Sequence, residues 1–119
     1  MDVYFNPACT NCQTVRGILE ERGIEARYVR YLEHAPSREE IERVMGLLGL
    51  DDPRGMIRAK KPVYAELGLD SATSDELLDA MAAHPVLIQR PIVIVGERAV
   101  IARPGERVLE VLDSADQGV

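Results

Sequence analysis

Both cysteines of the chain fall in one short window, Asn6-Pro7-Ala8-Cys9-Thr10-Asn11-Cys12, between an apolar start and an amphipathic run. A Cys-x-x-Cys pair at the entry to a helix reads as a redox or nucleophilic site, because the unpaired N–H groups of a helix start favour thiolate over thiol. Cys9 is the candidate attacking sulfur. Cys12 lies one turn further along on the same helix face, so an exposed Cys9 would reach a more sheltered Cys12 and form a disulfide with it. Two other readings compete. A zinc site normally takes four ligands, and His34 and His84 lack the spacing of a finger. Inert buried thiols fit poorly with the turn residues before Cys9, where Asn6 can order the loop through its own side chain.

The elements that must hold this window can be read around it. Asp2-Val3-Tyr4-Phe5 has strand character and meets the breaker Asn6-Pro7. A helix follows from about Thr10 to Arg22, with Val15, Ile18 and Leu19 on its apolar face and Gly23 as its stop. Residues 26–32 read as a second strand, giving a right-handed parallel βαβ unit. Ser37 with Glu40 starts a helix through Ile41, Val44, Met45 and Leu48. Asp52-Pro53 and Pro62 open shorter turns, and Ser74 is expected to cap a longer helix that His84-Pro85 ends. Ile92-Val93-Ile94-Val95 suits a buried strand, Gly96-Glu97 turns the chain, and residues 99–102 return antiparallel before a last helix through Val108, Leu109, Val111 and Leu112. The tail after Leu112 is polar and expected to fray.

This order, β-α-β, a helical insertion at about residues 37–84, then β-β-α, predicts one α/β domain of the thioredoxin type with a small mixed sheet. In such an arrangement a proline just before the third strand is often cis and faces the active cysteine; Pro91, after Arg90, occupies that place. Arg90 and Arg103 flank the predicted hairpin on the same end.

The chain has 119 residues, 46% of them hydrophobic and 29% charged, and a net charge of -6. That balance fits one globular domain and argues against general nucleic-acid binding, which needs surplus Lys and Arg. An anionic substrate is still compatible, since a few convergent arginines govern a small oxyanion more than total charge does. No apolar run approaches the roughly 20 residues of a membrane helix, and the start lacks a signal-peptide pattern. Two closely spaced cysteines cannot staple distant parts of a fold, so a cytoplasmic, reducing location is expected.

Asn6-Pro7-Ala8-Cys9, Tyr31-Leu32-Glu33-His34-Ala35-Pro36, Arg58, Tyr64-Ala65-Glu66-Leu67-Gly68-Leu69, His84 through Val93, and Ala102-Arg103-Pro104 together resemble the ArsC family of thioredoxin-fold, glutaredoxin-linked arsenate reductases. The resemblance spans nearly the whole chain. It implies a nucleophile at Cys9 and three oxyanion-holding arginines at Arg58, Arg90 and Arg103, with Asn6, Thr10, Asn11 and Pro91 in supporting places. It implies no bound cofactor and an external thiol reductant (glutathione with glutaredoxin, or thioredoxin); a monomer is expected. Two positions depart from the family pattern: Phe5 stands where a His is common, and Cys12 where Ser is common. Cys12 is thus the candidate resolving thiol. Two rival readings are a redox-sensing regulator resembling Spx, which binds RNA polymerase, and a general glutaredoxin-like disulfide reductase; the full arginine set weighs against the first.

Overall fold

The computed structural model describes residues 1–117. It divides into two compact units, one formed by Met1–Tyr31 with the chain from Arg90 onward, the other by Leu32–Gln89. The helical stretch expected at about residues 37–84 lies inside the second.

In the first unit, β1 (Asp2–Tyr4), β2 (Arg27–Val29), β3 (Ile92–Val95) and β4 (Arg98–Ile101) form one sheet in the order β2-β1-β3-β4. Val3 pairs with Tyr28 of the parallel β2 and with Val93 of the antiparallel β3. Helix α1 (Thr10–Glu21) makes the crossover between β1 and β2, and α5 (Val108–Gln117) follows the β3-β4 hairpin, completing the thioredoxin-like order that the sequence predicts. β1 and β3 are central, so Val3, Ile92 and Val93 are fully buried, as suits β-branched residues on a pleated surface. Val15 and Leu19 of α1, Val108 and Leu112 of α5, and Phe5 pack with Val3 and Val93 into one core that also holds both cysteines. Burying each large apolar side chain contributes about 1.5–3 kcal/mol, which holds α1 and α5 against the sheet.

Several boundaries differ from the sequence reading. β2 is shorter than residues 26–32, because after Val29 the chain folds back: the Tyr31 N–H donates to the Val29 carbonyl at 2.9 Å, and the Tyr31 ring stacks on Tyr4 with centroids 6.1 Å apart. β4 begins one residue early because Gly96, at φ +59°, makes a two-residue turn that sets Arg98 opposite Val95. α1 ends one residue short of Arg22, with Gly23 in the left-handed region at φ +67°. α5 continues past Leu112 to Gln117, and the last two residues of the polar tail lie outside the described residues.

The second unit is helical: α2 (Arg38–Leu47), α3 (Pro62–Glu66) and α4 (Ser74–Ala83), joined by 3-10 turns at Pro53–Met56, Leu69–Ser71 and Pro85–Leu87. Ser37 Oγ accepts from the Glu40 N–H at 3.2 Å, starting α2 as its sequence predicts. Thr73 caps α4 in place of Ser74. Its hydroxyl accepts from the Glu76 N–H at 3.2 Å while the Glu76 carboxylate accepts from the Thr73 N–H at 3.1 Å. The reciprocal box needs Glu three residues after the cap, and that selects Thr73. Arg54 secures the short turns: its guanidinium donates to Tyr64 Oη at 3.0 Å and to the carbonyls of Leu69, Asp70 and Ala72 at 3.2, 3.2 and 2.8 Å. Helices of one or two turns cannot persist alone, so such outside bonds matter to them. Among the described residues no helix is long and apolar enough to cross a membrane.

Candidate active site

β1 delivers the chain into a loop fastened on both sides of its proline. Asn6 Oδ1 accepts from the Ala8 N–H at 3.0 Å, the Cys9 N–H donates to the Asn6 carbonyl at 3.0 Å, and Gln13 Nε2 donates to the Pro7 carbonyl at 2.7 Å. Cys9 is thereby held as the N-cap of α1, with extended backbone (φ -91°, ψ 125°). Thr10, the first helical residue, is exposed, and its carbonyl accepts from Thr14 Oγ1 at 3.1 Å.

Both thiols are free. The expectation of an exposed Cys9 needs correction: it is 5% exposed and belongs to the core cluster, while Pro7 and Ala8 are the residues that face solvent. The fastened loop turns its outer edge outward and its cysteine inward. Cys12 is the more sheltered of the pair, as expected, at 0% exposure.

Burial is the largest influence on the Cys9 thiol and raises its pKa. It is outweighed by the Cys12 backbone N–H, the Cys12 side chain, the positive charge of Arg90 and the Asn11 N–H, so the net shift is downward. Cys12 moves the other way, to about 12. Burial dominates there; the Asn6 N–H, 3.5 Å from the Cys12 sulfur, opposes it, while the hydrogen bond with Cys9 and its negative charge add to it. The pair is split into one thiolate-prone sulfur and one that keeps its proton.

Arg90 stands immediately before β3. The Arg90–Pro91 peptide is cis, as the sequence reading expects, and the buried Pro91 offers its carbonyl to the Ala102 N–H at 2.9 Å. Nε and Nη1 of Arg90 are buried with no hydrogen-bond partner. Arg103, on an exposed position just past β4, donates from Nη1 to the Arg90 carbonyl at 3.1 Å, so the two arginines are linked. The Arg103–Pro104 peptide is also cis, which the sequence reading does not anticipate. Asn11 Oδ1 accepts from the Gly105 N–H at 3.2 Å, tying the start of α1 to the segment that carries Arg103. A Cβ on Gly105 would come within 2.7 Å of Thr14 Cβ and 2.8 Å of the Asn11 carbonyl oxygen, so this closeness requires glycine. Sequence reading missed Gly105; its only signal is a glycine directly after the Arg103-Pro104 pair.

Residues 4–111 match the ArsC family. The chain belongs to that family. It is 42% identical over 112 residues to an arsenate reductase of Neisseria meningitidis, covering 92% of this chain and 96% of that protein. An arsenate reductase of Escherichia coli is 37% identical over 118 residues, covering 98% of this chain and 83% of that protein. Among solved structures, an arsenate reductase from Vibrio cholerae superimposes with a TM-score of 0.88 at 43% identity, over 92% of this chain and 97% of that one.

Within this ArsC chain, Cys9, Cys12, Asn6, Asn11, Arg90, Pro91 and Arg103 all belong to the first unit. Arg58 belongs to the second, where it follows the bridge between Ile57 and Ile88 and its N–H donates to the Leu87 carbonyl at 2.7 Å. Phe5 is 4% exposed and meets Tyr28 edge to face, with centroids 5.2 Å apart. The place where the family commonly has a titrating imidazole is thus filled by core packing, and the influences lowering the Cys9 pKa are backbone N–H groups, Cys12 and Arg90. Among the described residues no group of three or more His, Cys, Asp or Glu is placed to hold a metal ion.

Proposed function

We propose that this ArsC chain is an arsenate reductase in which Arg90 and Arg103 hold the oxyanion and Cys9 attacks its arsenic. The observation that carries the reading is the pair of buried, unpartnered donors on Arg90 beside a thiol of lowered pKa. A buried donor without an acceptor costs about 1–3 kcal/mol, and a tetrahedral oxyanion supplies acceptors in the geometry of a guanidinium fork. Arsenate is such an anion. Because Arg keeps its charge in a partly dehydrated site, it can hold the substrate and favour the thiolate together.

In this scheme the Cys9 thiolate forms a bond to As(V) as an oxygen leaves as water. A second thiol then attacks the Cys9 sulfur; the sulfur–arsenic bond breaks, its electron pair stays on arsenic, and As(III) departs as arsenite. An external thiol reductant, glutathione with glutaredoxin or thioredoxin, restores the cysteine, and a reducing cytoplasm suits that cycle. The expectation that Arg58 also holds the anion rests on the family resemblance alone. Arsenite formation by the purified protein, supplied in turn with each reductant system, tests the reading. Arsenite in at least one, and none from Cys9→Ser, is expected; no arsenite in either, or an undiminished rate from Cys9→Ser, overturns it.

A further inference from the structure

We propose that Cys12 is the thiol that resolves the arsenic adduct, so that each turnover closes a Cys9–Cys12 disulfide and the chain is recharged by a protein dithiol rather than by glutathione. This inference rests on the arsenate reading above and specifies its second half.

The placement of the two sulfurs supports it. Cys9 caps α1 and Cys12 stands in the first turn of the same helix, and both side chains lie in one buried cluster. Cys12 is 0% exposed, so no thiol from solution reaches it, and the group it can reach is its neighbour. Oriented groups in one molecule act at effective concentrations of about 10⁵ M or more, far above any dissolved thiol. The Asn6 N–H, 3.5 Å from the Cys12 sulfur, is placed to support the negative charge that Cys12 carries once it gives up its proton.

Charge also orders the two steps. While Cys9 is a thiolate, its charge and its hydrogen bond both hold the proton on Cys12. Once the Cys9 sulfur is bonded to arsenic, that charge is gone, and burial is left to oppose the Asn6 N–H and Arg90, which favour a Cys12 thiolate. Cys12 then gives its proton to an oxygen that stays on arsenic and attacks the Cys9 sulfur. The sulfur–sulfur bond forms, the sulfur–arsenic bond breaks with its electron pair left on arsenic, and arsenite leaves. Two thiols are oxidised and one arsenate is reduced to arsenite and water. A dithiol protein next reduces the bridge by exchange and is itself oxidised to a disulfide.

The decisive experiment is a single turnover: fully reduced, desalted protein is mixed with arsenate and no other thiol, and arsenite and free thiols are counted. One arsenite per chain is expected, with loss of both thiols and a mass lower by two hydrogens. Cys12→Ser and Cys12→Ala should give no arsenite under these conditions and regain it when glutathione and glutaredoxin are added. If the wild-type chain gives none alone but turns over with glutathione and glutaredoxin, Cys12 is not the resolving thiol and the reductase reading stands. If it gives none with any reductant, both readings fall.

Discussion

Replacing Arg90 by methionine should make the protein more stable and worse at holding its substrate. Nε and Nη1 of Arg90 are buried without acceptors, and each such donor costs about 1–3 kcal/mol in the anion-free protein. Methionine keeps an apolar stem of similar length and removes both donors. Anion-free Arg90→Met should therefore gain about 2–6 kcal/mol over the two donors, seen as a clear rise in Tm for a chain of this size. The anion-bound state should move the other way. Charge-assisted bonds are each worth about 1.5–3 kcal/mol, so losing two weakens arsenate binding by roughly a hundredfold or more. Thermal unfolding with increasing arsenate, in a Cys9→Ser background that blocks chemistry, reads both effects. With Arg90 present, arsenate at a hundred times Kd should add about 2.7 kcal/mol, and Arg90→Met should erase that gain. Arg90→Lys should fall between, since it keeps the charge and loses the planar fork. A lower Tm for Arg90→Met without arsenate, together with an unchanged arsenate shift, would refute the reasoning.

Alkylation by iodoacetamide followed by mass spectrometry should show Cys9 reacting with a pH midpoint below that of an ordinary free thiol, because a lowered pKa leaves thiolate at lower pH. Arg90→Met should raise that midpoint, and Cys12, held at about 12, should stay unmodified through neutral pH; a Cys9 midpoint at or above the free value contradicts the assignment. Gly105→Ala should cost about 1–3 kcal/mol in denaturant unfolding and raise KM for arsenate, since its Cβ forces the segment carrying Arg103 away from α1; an unaltered KM would separate the two. Thr73→Ala should lower stability by about 1 kcal/mol in the same unfolding assay, and an unshifted midpoint would mean that the capping box contributes nothing.

The window around Cys9 was readable because its signals are local. Asn6-Pro7 must break a strand, the apolar spacing of Val15 and Leu19 must make a helix, and together they fix the cysteine at a helix start. Pro91 announced its place for a similar reason, standing directly before an unbroken β-branched run. What the sequence hid depends on contacts between distant residues. Cys9 is buried in one cluster with Phe5, Val93 and Val108, residues far apart in the sequence, and no spacing rule reports how deep an N-cap sits. The link from Arg103 to the Arg90 carbonyl and the contact of Gly105 with α1 appear only once the hairpin and α5 are in place. The choice of Thr73 over Ser74 was a different kind of miss, since Glu76 three residues on already carried the signal.

The bond between Asn11 and Gly105 joins residues 94 positions apart in the sequence. A ribosome makes the cysteines first and Arg90, Arg103 and Gly105 last, so the emerging chain carries an ordinary thiol, without the guanidinium charge that later helps lower its pKa. Full reactivity arrives only when the last strands dock against β1. A truncated or stalled product thus holds a comparatively dull cysteine, and a finished molecule holds a sharp one.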